Sequence, residues 1–322
     1  MSPRVTVISG GVGAARFLRG LLGVVAAGDV TAVVNTGDDT VLHGLDISPD
    51  LDTITYTLAG AIDPERGWGL AGETWVAMEA LARYVSVRPA DSSAAPTWFN
   101  LGDRDLATHF YRTARRREGA SLTQVTAEIA QAWGLEFTVL PMTDGHFRTL
   151  VTLADSGEEV SFQDYFVRLR HGEAITSVRF DRRDAELTDA ARRALVDASV
   201  VVIAPSNPLV SIAPIRALPG VDALLSARRS SVVAVSPIVG GAALKGPADR
   251  MLTELGMESS VVGVAQLYAP IADVLLIDPA DAALAPAVER AGMRCVVHPS
   301  IMSTQHLAES LASACLHAVS HR

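Results

Sequence analysis

The feature that most constrains this chain is its opening stretch. A β-branched run, Val5 to Ile8, leads through Ser9-Gly10-Gly11-Val12-Gly13 into a helical run, then into Ala32-Val33-Val34-Asn35 and Thr36-Gly37-Asp38-Asp39. Strand, glycine turn, helix and second strand make a βαβ unit, and a turn that opens a helix presents unpaired backbone N–H groups able to hold a phosphate. Nucleotide chemistry is the first expectation.

Further short apolar runs follow at Ser199–Ala204, Ser231–Val235, Asp273–Ile277 and Cys295–His298. They are continuous rather than alternating, as strands buried on both faces of a parallel sheet are. The expected fold is α/β, a doubly wound, mostly parallel Rossmann-like sheet. The text between them is mainly helical: Glu73 to Tyr84, Arg104 to Arg117, and Ser121 to Trp133, the last opened by a capping box of Ser121 and Gln124. Runs at Glu136–Leu140, Thr149–Leu153 and Glu159–Phe162 read as strands that extend or edge the sheet. The breaks near Pro89–Pro96 and Arg182–Thr188 are too short for flexible linkers. The expectation is one unit over 1–322, with a core of about 1–60 and 136–322 and an inserted helical lobe of about 61–135.

Composition narrows the class. The chain has 322 residues, 49% of them hydrophobic, enough for a large core. No apolar stretch reaches the roughly 18 residues that span a bilayer, and the start, Met-Ser-Pro-Arg, runs directly into a strand, so the expectation is a cytoplasmic protein without a membrane partner. Cys295 and Cys315 lack metal-ligand spacing and read as reduced core residues. A net charge of −9 argues against nucleic acid as a partner, but an acidic protein still binds nucleotides through backbone amides, a few cations and a divalent metal.

The glycine turn departs from G-x-G-x-x-G, because Arg16 stands where the third glycine belongs, and it lacks the Gly-Lys-Ser/Thr of a Walker loop. The next segment is denser. Asp38, Asp39, Asp46, Asp50 and Asp52 fall within fifteen residues just after a strand, at the sheet edge where open α/β folds bind ligands. Hard oxygen donors of this kind suit Mg²⁺. Helix capping by Asp50 and Asp52 near Thr53, and turns at Asp38 and Asp39, are the structural alternative. His43 is a minor candidate for a general base, while Arg115-Arg116-Arg117 reads as a solvated helix end outside the site. The loops Ala204-Pro205-Ser206-Asn207-Pro208 and Ser236-Pro237-Ile238-Val239-Gly240-Gly241 follow strands and suit a base or phosphate if they converge on the first turn.

Taken together, Asn35-Thr36-Gly37-Asp38-Asp39, Ser48-Pro49-Asp50-Leu51-Asp52-Thr53, Leu101-Gly102-Asp103-Arg104-Asp105, Phe162-Gln163-Asp164-Tyr165-Phe166-Val167-Arg168 and Ala204-Pro205-Ser206-Asn207-Pro208 resemble, in order and from about residue 4 to about residue 305, the 2-phospho-L-lactate transferase family of coenzyme F-420 biosynthesis. The resemblance implies a Mg²⁺-dependent transfer onto the ribityl 5′-hydroxyl of the deazaflavin Fo, 7,8-didemethyl-8-hydroxy-5-deazariboflavin. It implies a guanosine-diphosphate-linked three-carbon acid as donor, GMP as leaving group and a homodimer. By motif it places Gly11, Val12 and Gly13 on the phosphate side, Ser206, Asn207 and Pro208 on the guanosine side, and Asp52 and Asn100 at the deazaflavin; archaeal members often have lysine where Asn100 stands. Asn35 joins the binding candidates as the end of the second strand. Gly-Gly-Val-Gly, where archaeal members tend to have Gly-Gly-Thr-Gly, favours the mycobacterial, phosphoenolpyruvyl-using branch over a lactyl donor.

Phosphoryl-type transfer asks a protein mainly to align an alcohol with a phosphorus and to stabilise oxygens. Asp38, Asp39 and Asp52 are expected to include the metal ligands, with Asp39 and Asp52 catalytic and Asp52 next to the acceptor hydroxyl. A dinucleotide-dependent enzyme is disfavoured by the missing third glycine and by Asn35 where an acidic residue would close the second strand. A non-catalytic nucleotide- or deazaflavin-binding regulator of the same fold is the alternative function.

Overall fold

The computed structural model describes residues 3–90, 92, 94 and 98–320. In chain order its strands are β1 (Val5–Ser9), β2 (Val30–Val34), β3 (Thr40–Leu42), β4 (Leu45–Ile47), β5 (Thr138–Pro141), β6 (Arg148–Leu153) and β7 (Glu159–Ser161). There follow β8 (Ile175–Asp181), β9 (Val200–Ile203), β10 (Val232–Val235), β11 (Ile238–Val239), β12 (Ala242–Ala243), β13 (Val274–Ile277) and β14 (Arg294–Val297). Seven of them make one parallel sheet in the order β14-β13-β10-β9-β1-β2-β5.

Period-2 geometry explains why continuous apolar runs were required. Val7, Ala32, Val202, Val233 and Val274 stand in one row of the register and enter the core on one face, with Phe17, Leu18 and Leu311 from helices. Ile8, Val33, Ile203, Ala234 and Leu275 stand in the next row and enter the core on the other face. Full burial of each valine, isoleucine or leucine among them stabilises by about 1.5–3 kcal/mol, so both faces are committed to helices.

The strand order reverses between β1 and β9, since the chain proceeds from β1 toward β2 and β5 on one side and from β9 toward β14 on the other. Open α/β sheets bind ligands at such a reversal, beyond the carboxyl ends of the strands. The carboxyl ends of β1, β2 and β9 carry the glycine turn, the Asn35–Asp39 segment and the Ala204–Pro208 loop.

Three expectations change. Of the middle strands only β5 edges the main sheet; β6, β7 and β8 form a separate antiparallel sheet in the order β7-β6-β8. The reason is visible in β6, whose burial alternates because one face packs inward and the other is solvated, unlike a parallel core strand. The helix expected over Glu73–Tyr84 is only α3 (Val76–Leu81) before a 3-10 turn at Ala82–Ser86. The aspartate-rich segment contains a hairpin, β3–β4, whose two-residue turn His43-Gly44 has positive φ at both positions, so His43 serves as a turn residue.

Other helices follow the text closely: α4 (Leu106–Arg117) and α5 (Leu122–Ala132), the latter with both hydrogen bonds of the Ser121–Gln124 capping box, at 3.1 and 2.9 Å. A small apolar cluster of Leu42, Ile47, Met78 and Leu101 joins the hairpin to this helical segment. At Arg182–Thr188 the chain is not a linker, because Ala185 and Leu187 are buried in the core. Of the Pro89–Pro96 break, residues 91, 93, 95 and 96 lie outside the described residues.

Candidate functional site

The helix α1 (Gly11–Leu21) starts directly at the end of β1, and Gly11, with φ +68°, takes a conformation that side chains rarely adopt. Gly13 is required for a different reason: a Cβ there would lie 2.2 Å from the Pro205 carbonyl oxygen. The Ser206 hydroxyl donates to the Gly10 carbonyl at 2.7 Å. The first turn and the Ala204–Pro208 loop therefore converge. Gly11, Val12 and Gly13 are partly exposed there. Asn207 caps a π turn at Pro208–Ile212, its side-chain oxygen accepting from the Leu209 N–H at 2.9 Å and its NH2 facing only the Met251 sulfur at 3.7 Å. The Ser236–Gly241 loop is tied elsewhere, through the Gly240 N–H to Asp281 at 2.9 Å.

A second helix, α2 (Pro49–Leu58), follows the hairpin, with Pro49 at its first position and Asp50 and Asp52 in its first turn, where the helix dipole favours negative charge. Asp50 reaches across to the glycine turn. Its carboxylate accepts from the Asn35 amide at 2.9 Å and from the Gly11 backbone N–H, and burial pushes its pKa up to about 6 against those bonds. Asn35 is fully buried; it also donates to the Val210 carbonyl at 3.3 Å and accepts from the Gly37 N–H at 2.8 Å. It thus ties β2, α2 and the π turn together.

Asp38 and Asp39 stand beside Asp50. Burial raises the Asp38 carboxyl well above the usual range, and the charges of Asp50 and Asp39 add to it. Burial likewise raises Asp39, opposed by the Ser48 hydroxyl, which donates to it at 2.7 Å, and by Arg112. Among the described residues one oxygen of each, Oδ1, has no hydrogen-bond partner, nor does the buried hydroxyl of Thr36. Unpartnered carboxylate oxygens gathered at one place are a donor set that a hard cation satisfies.

Asp52 faces the other way, into α4. Both its oxygens take N–H groups of the buried Arg112, one at 3.1 Å. His109 lies 3.8 Å from Asp52 through Nδ1 and 3.3 Å from Asp105 through Nε2, and Asp105 accepts from the Tyr56 hydroxyl. Burial lifts the Asp52 carboxyl, opposed by Arg112 and His109, whereas His109 and Tyr56 hold Asp105 low despite its burial. Asp52, Asp105 and His109 are also close enough together to hold a metal ion. Sequence reading did not single out Arg112, His109 or Tyr56. The available signal was the spacing of Asp105, His109 and Arg112, which share one face of α4.

The Leu101–Asp105 signature does structural work around this network. Asp103 accepts the Val76 and Ala77 N–H groups at the start of α3, and Glu73 accepts those of Arg104 and Asp105 ahead of α4, all at 2.9 Å. Asn100 stands exposed at its head, with no hydrogen bond to the carboxylate cluster among the described residues.

Next to Asp39 a cavity of about 170 Å3 opens between the hairpin, α4 and the turn before β6, lined among others by Thr36, Ser48, Arg112, Arg116 and Arg148. The expectation for Arg115-Arg116-Arg117 is thereby corrected in part. Arg115 pairs with Glu118 and Glu128, and Arg117 donates to the Gly44 carbonyl, but Arg116 lines this cavity. The helix places successive residues 100° apart, so a run of three cannot share one environment.

Comparison with known proteins adds the following. A family model described as 2-phospho-L-lactate transferase CofD matches residues 5–307. A phosphoenolpyruvate transferase of Kitasatospora aureofaciens is 40% identical over 320 residues, covering 97% of each chain. One of Mycobacterium avium is 42% identical over 289 residues, covering 82% of this chain and 83% of its own. Two crystal structures of protein BH3568 from Bacillus halodurans superpose with a TM-score of 0.62 over 98% of this chain, at 16% and 15% identity, which is a likeness of fold.

Proposed function

As the chain belongs to the 2-phospho-L-lactate transferase CofD family, we propose that it moves a phosphoenolpyruvyl group from a guanosine-diphosphate-linked donor to the ribityl hydroxyl of Fo, in coenzyme F-420 biosynthesis. The observation that carries this reading is the group of carboxylates Asp38, Asp39 and Asp50 beside the Gly10–Gly13 turn, of which Asp38 and Asp39 each keep one buried oxygen unpartnered among the described residues. The phosphoenolpyruvyl donor is favoured over the lactyl one by the names of the relatives at 40–42% identity.

In the reaction the acceptor oxygen bonds to the phosphorus that carries the three-carbon acid, and the P–O bond to the guanosine phosphate breaks, so GMP leaves with the bridging oxygen. The hydroxyl proton must also depart. No covalent enzyme intermediate is needed.

The donor set fits Mg²⁺, because carboxylate oxygens without partners among the described residues lie together with no thiolate beside them. Asp38 and Asp39 would hold it, with Asp50 beside them. Bound there, Mg²⁺ supplies charge neutralisation on the phosphate oxygens. Gly11, Val12 and Gly13 offer backbone amides to the diphosphate, and Ser206, Asn207 and Pro208 shape the guanosine side. Asp39, which keeps an oxygen unpartnered among the described residues, receives the proton of the acceptor hydroxyl, and Asp52, whose two oxygens Arg112 occupies, positions that side of the site through Arg112; Asn100 borders the deazaflavin.

Purified protein incubated with Fo, Mg²⁺ and each guanosine-diphosphate-linked acid in turn, with GMP and the deazaflavin product scored by mass spectrometry, tests the proposal. The expected result is the dehydro form of coenzyme F-420-0 with the phosphoenolpyruvyl donor. Product with the lactyl donor alone would reverse the donor assignment, and tight binding of Fo without product from either would favour a regulator.

A further inference from the structure

The cavity beside Asp39 has a charge pattern that the fold does not explain. One of its cations is spent, Arg112 on Asp52, and the His146 ring lies 3.2 Å from Asp181. Two are not. Arg116 gives a single N–H to the Ala120 carbonyl at 3.2 Å, and the Arg148 side chain has no hydrogen bond or ion pair among the described residues. The acidic walls do not pair with them. Asp144 is occupied by the Thr123 N–H and hydroxyl at 2.7 and 3.0 Å, Asp39 accepts from the Ser48 hydroxyl and faces the proposed cation, and neither Asp39 nor Asp46 makes an ion pair with either arginine among the described residues.

A further observation points to a ligand. Thr36 is only 4% exposed, lines the same cavity, and its hydroxyl has no hydrogen-bond partner among the described residues. A buried donor of this kind is costly unless something accepts from it. In a chain of net charge −9, two uncompensated guanidinium groups and a free hydroxyl around one small space make a receptor for an oxyanion, and the planar fork of arginine matches a carboxylate.

The cavity, of about 170 Å3, has room for a three-carbon acid. Its position selects the end of the ligand, because Asp39 belongs both to this cavity and to the carboxylate group where the diphosphate is read to bind. We infer that Arg116 and Arg148, with the Thr36 hydroxyl, bind the carboxylate of the donor's three-carbon acid and so distinguish the donor from plain guanosine diphosphate. The inference rests on the transfer reaction proposed above.

Arg148 is exposed, so Arg148→Ala and Arg148→Lys should fold normally, which circular dichroism and the thermal midpoint verify. Calorimetric titrations are run with Mg²⁺ and without Fo, using guanosine diphosphate and the lactyl-linked guanosine diphosphate, whose carboxylate is the only added anion. Wild type is expected to bind the linked form at least tenfold more tightly. R148A should lose most of that preference while its affinity for guanosine diphosphate changes less than twofold, and R148K should recover part of it; Arg116→Ala should act in the same direction. In turnover, R148A should raise KM for the donor and leave KM for Fo unchanged. Equal loss for both nucleotides would place the phosphates, not the carboxylate, in the cavity, and an unchanged preference would remove the cavity from donor binding; either overturns the inference alone. Wild type binding neither nucleotide would overturn the proposed function itself, and the inference with it.

Discussion

Asn35 donates its side-chain amide to Asp50 across 2.9 Å, joining the end of β2 to the first turn of α2. Because the same carboxylate also accepts from Gly11, one buried amide sets the distance between the glycine turn and the aspartates. Asn35→Ala should destabilise by about 1–3 kcal/mol, the usual cost of leaving a buried polar partner unsatisfied. Asn35→Asp should be worse at pH 7.5, because it adds a carboxylate to a group already crowded with them. Urea unfolding of both variants checks the order; N35D as stable as wild type at neutral pH would refute it.

Crowded, buried carboxylates should make the metal-free protein more stable in mild acid. The folded-state pKa of Asp50 is about 6 and the unfolded value about 4, so the folded state binds the proton more tightly. Its penalty is present above pH 6 and relieved as pH falls toward 4, with a size on the order of 3 kcal/mol; Asp38 and Asp39 shift in the same direction. The melting temperature in EDTA should therefore rise from pH 7.5 to pH 5.5. Saturating Mg²⁺ should flatten that trend, and a flat profile in EDTA would contradict the crowding.

Asp38→Asn removes one buried charge without changing shape. The variant should be more stable than wild type in EDTA by about 1 kcal/mol or more, while turnover falls by at least about a hundredfold. Calorimetric Mg²⁺ titration beside the activity assay separates the two effects. Near-normal turnover at saturating Mg²⁺ would exclude Asp38 as a ligand.

Arg112 is fully buried against Asp52, and Arg112→Ala leaves that carboxylate without its partner. A loss of roughly 3–5 kcal/mol is expected, as for other broken buried pairs. Asp52→Asn alone should fold better than R112A yet lose most of its turnover, and the double variant R112A/D52N should regain part of the stability. A double-mutant cycle with a coupling near zero would show that the pair is not what holds α4 to α2.

Gly13→Ala tests the convergence of the two loops. The added methyl would meet the Pro205 carbonyl oxygen at 2.2 Å, an atom fixed at the end of β9, so the turn must shift. Overpacking of this sort costs about 1–3 kcal/mol, and donor affinity should fall with it. Equal nucleotide affinity in G13A and wild type would separate the turn from the binding site.

Much of the fold was legible because parallel strands buried on both faces must be apolar throughout, so β1, β2, β9, β10 and β13 announce themselves. The antiparallel β6–β8 sheet was not, because its alternating burial leaves short runs whose partners are set at a distance. The π turns at Asp164–Arg168 and Pro208–Ile212 were equally invisible, although the first falls within a family signature and the second starts at the end of one, since no local pattern encodes an extra residue in a helical turn.

At the site the division is the same. The sequence alone determined that aspartates would gather at the carboxyl edge of a doubly wound sheet beside a glycine turn, because strand ends and turn residues are local properties. Which aspartate meets which partner was decided by tertiary structure. Asp50, two residues from Asp52, turns to Asn35 and Gly11, while Asp52 turns to Arg112, sixty residues away on another helix. On a helix, positions two apart point in nearly opposite directions, and only the packing of α2 between the glycine turn and α4 determines what each direction meets.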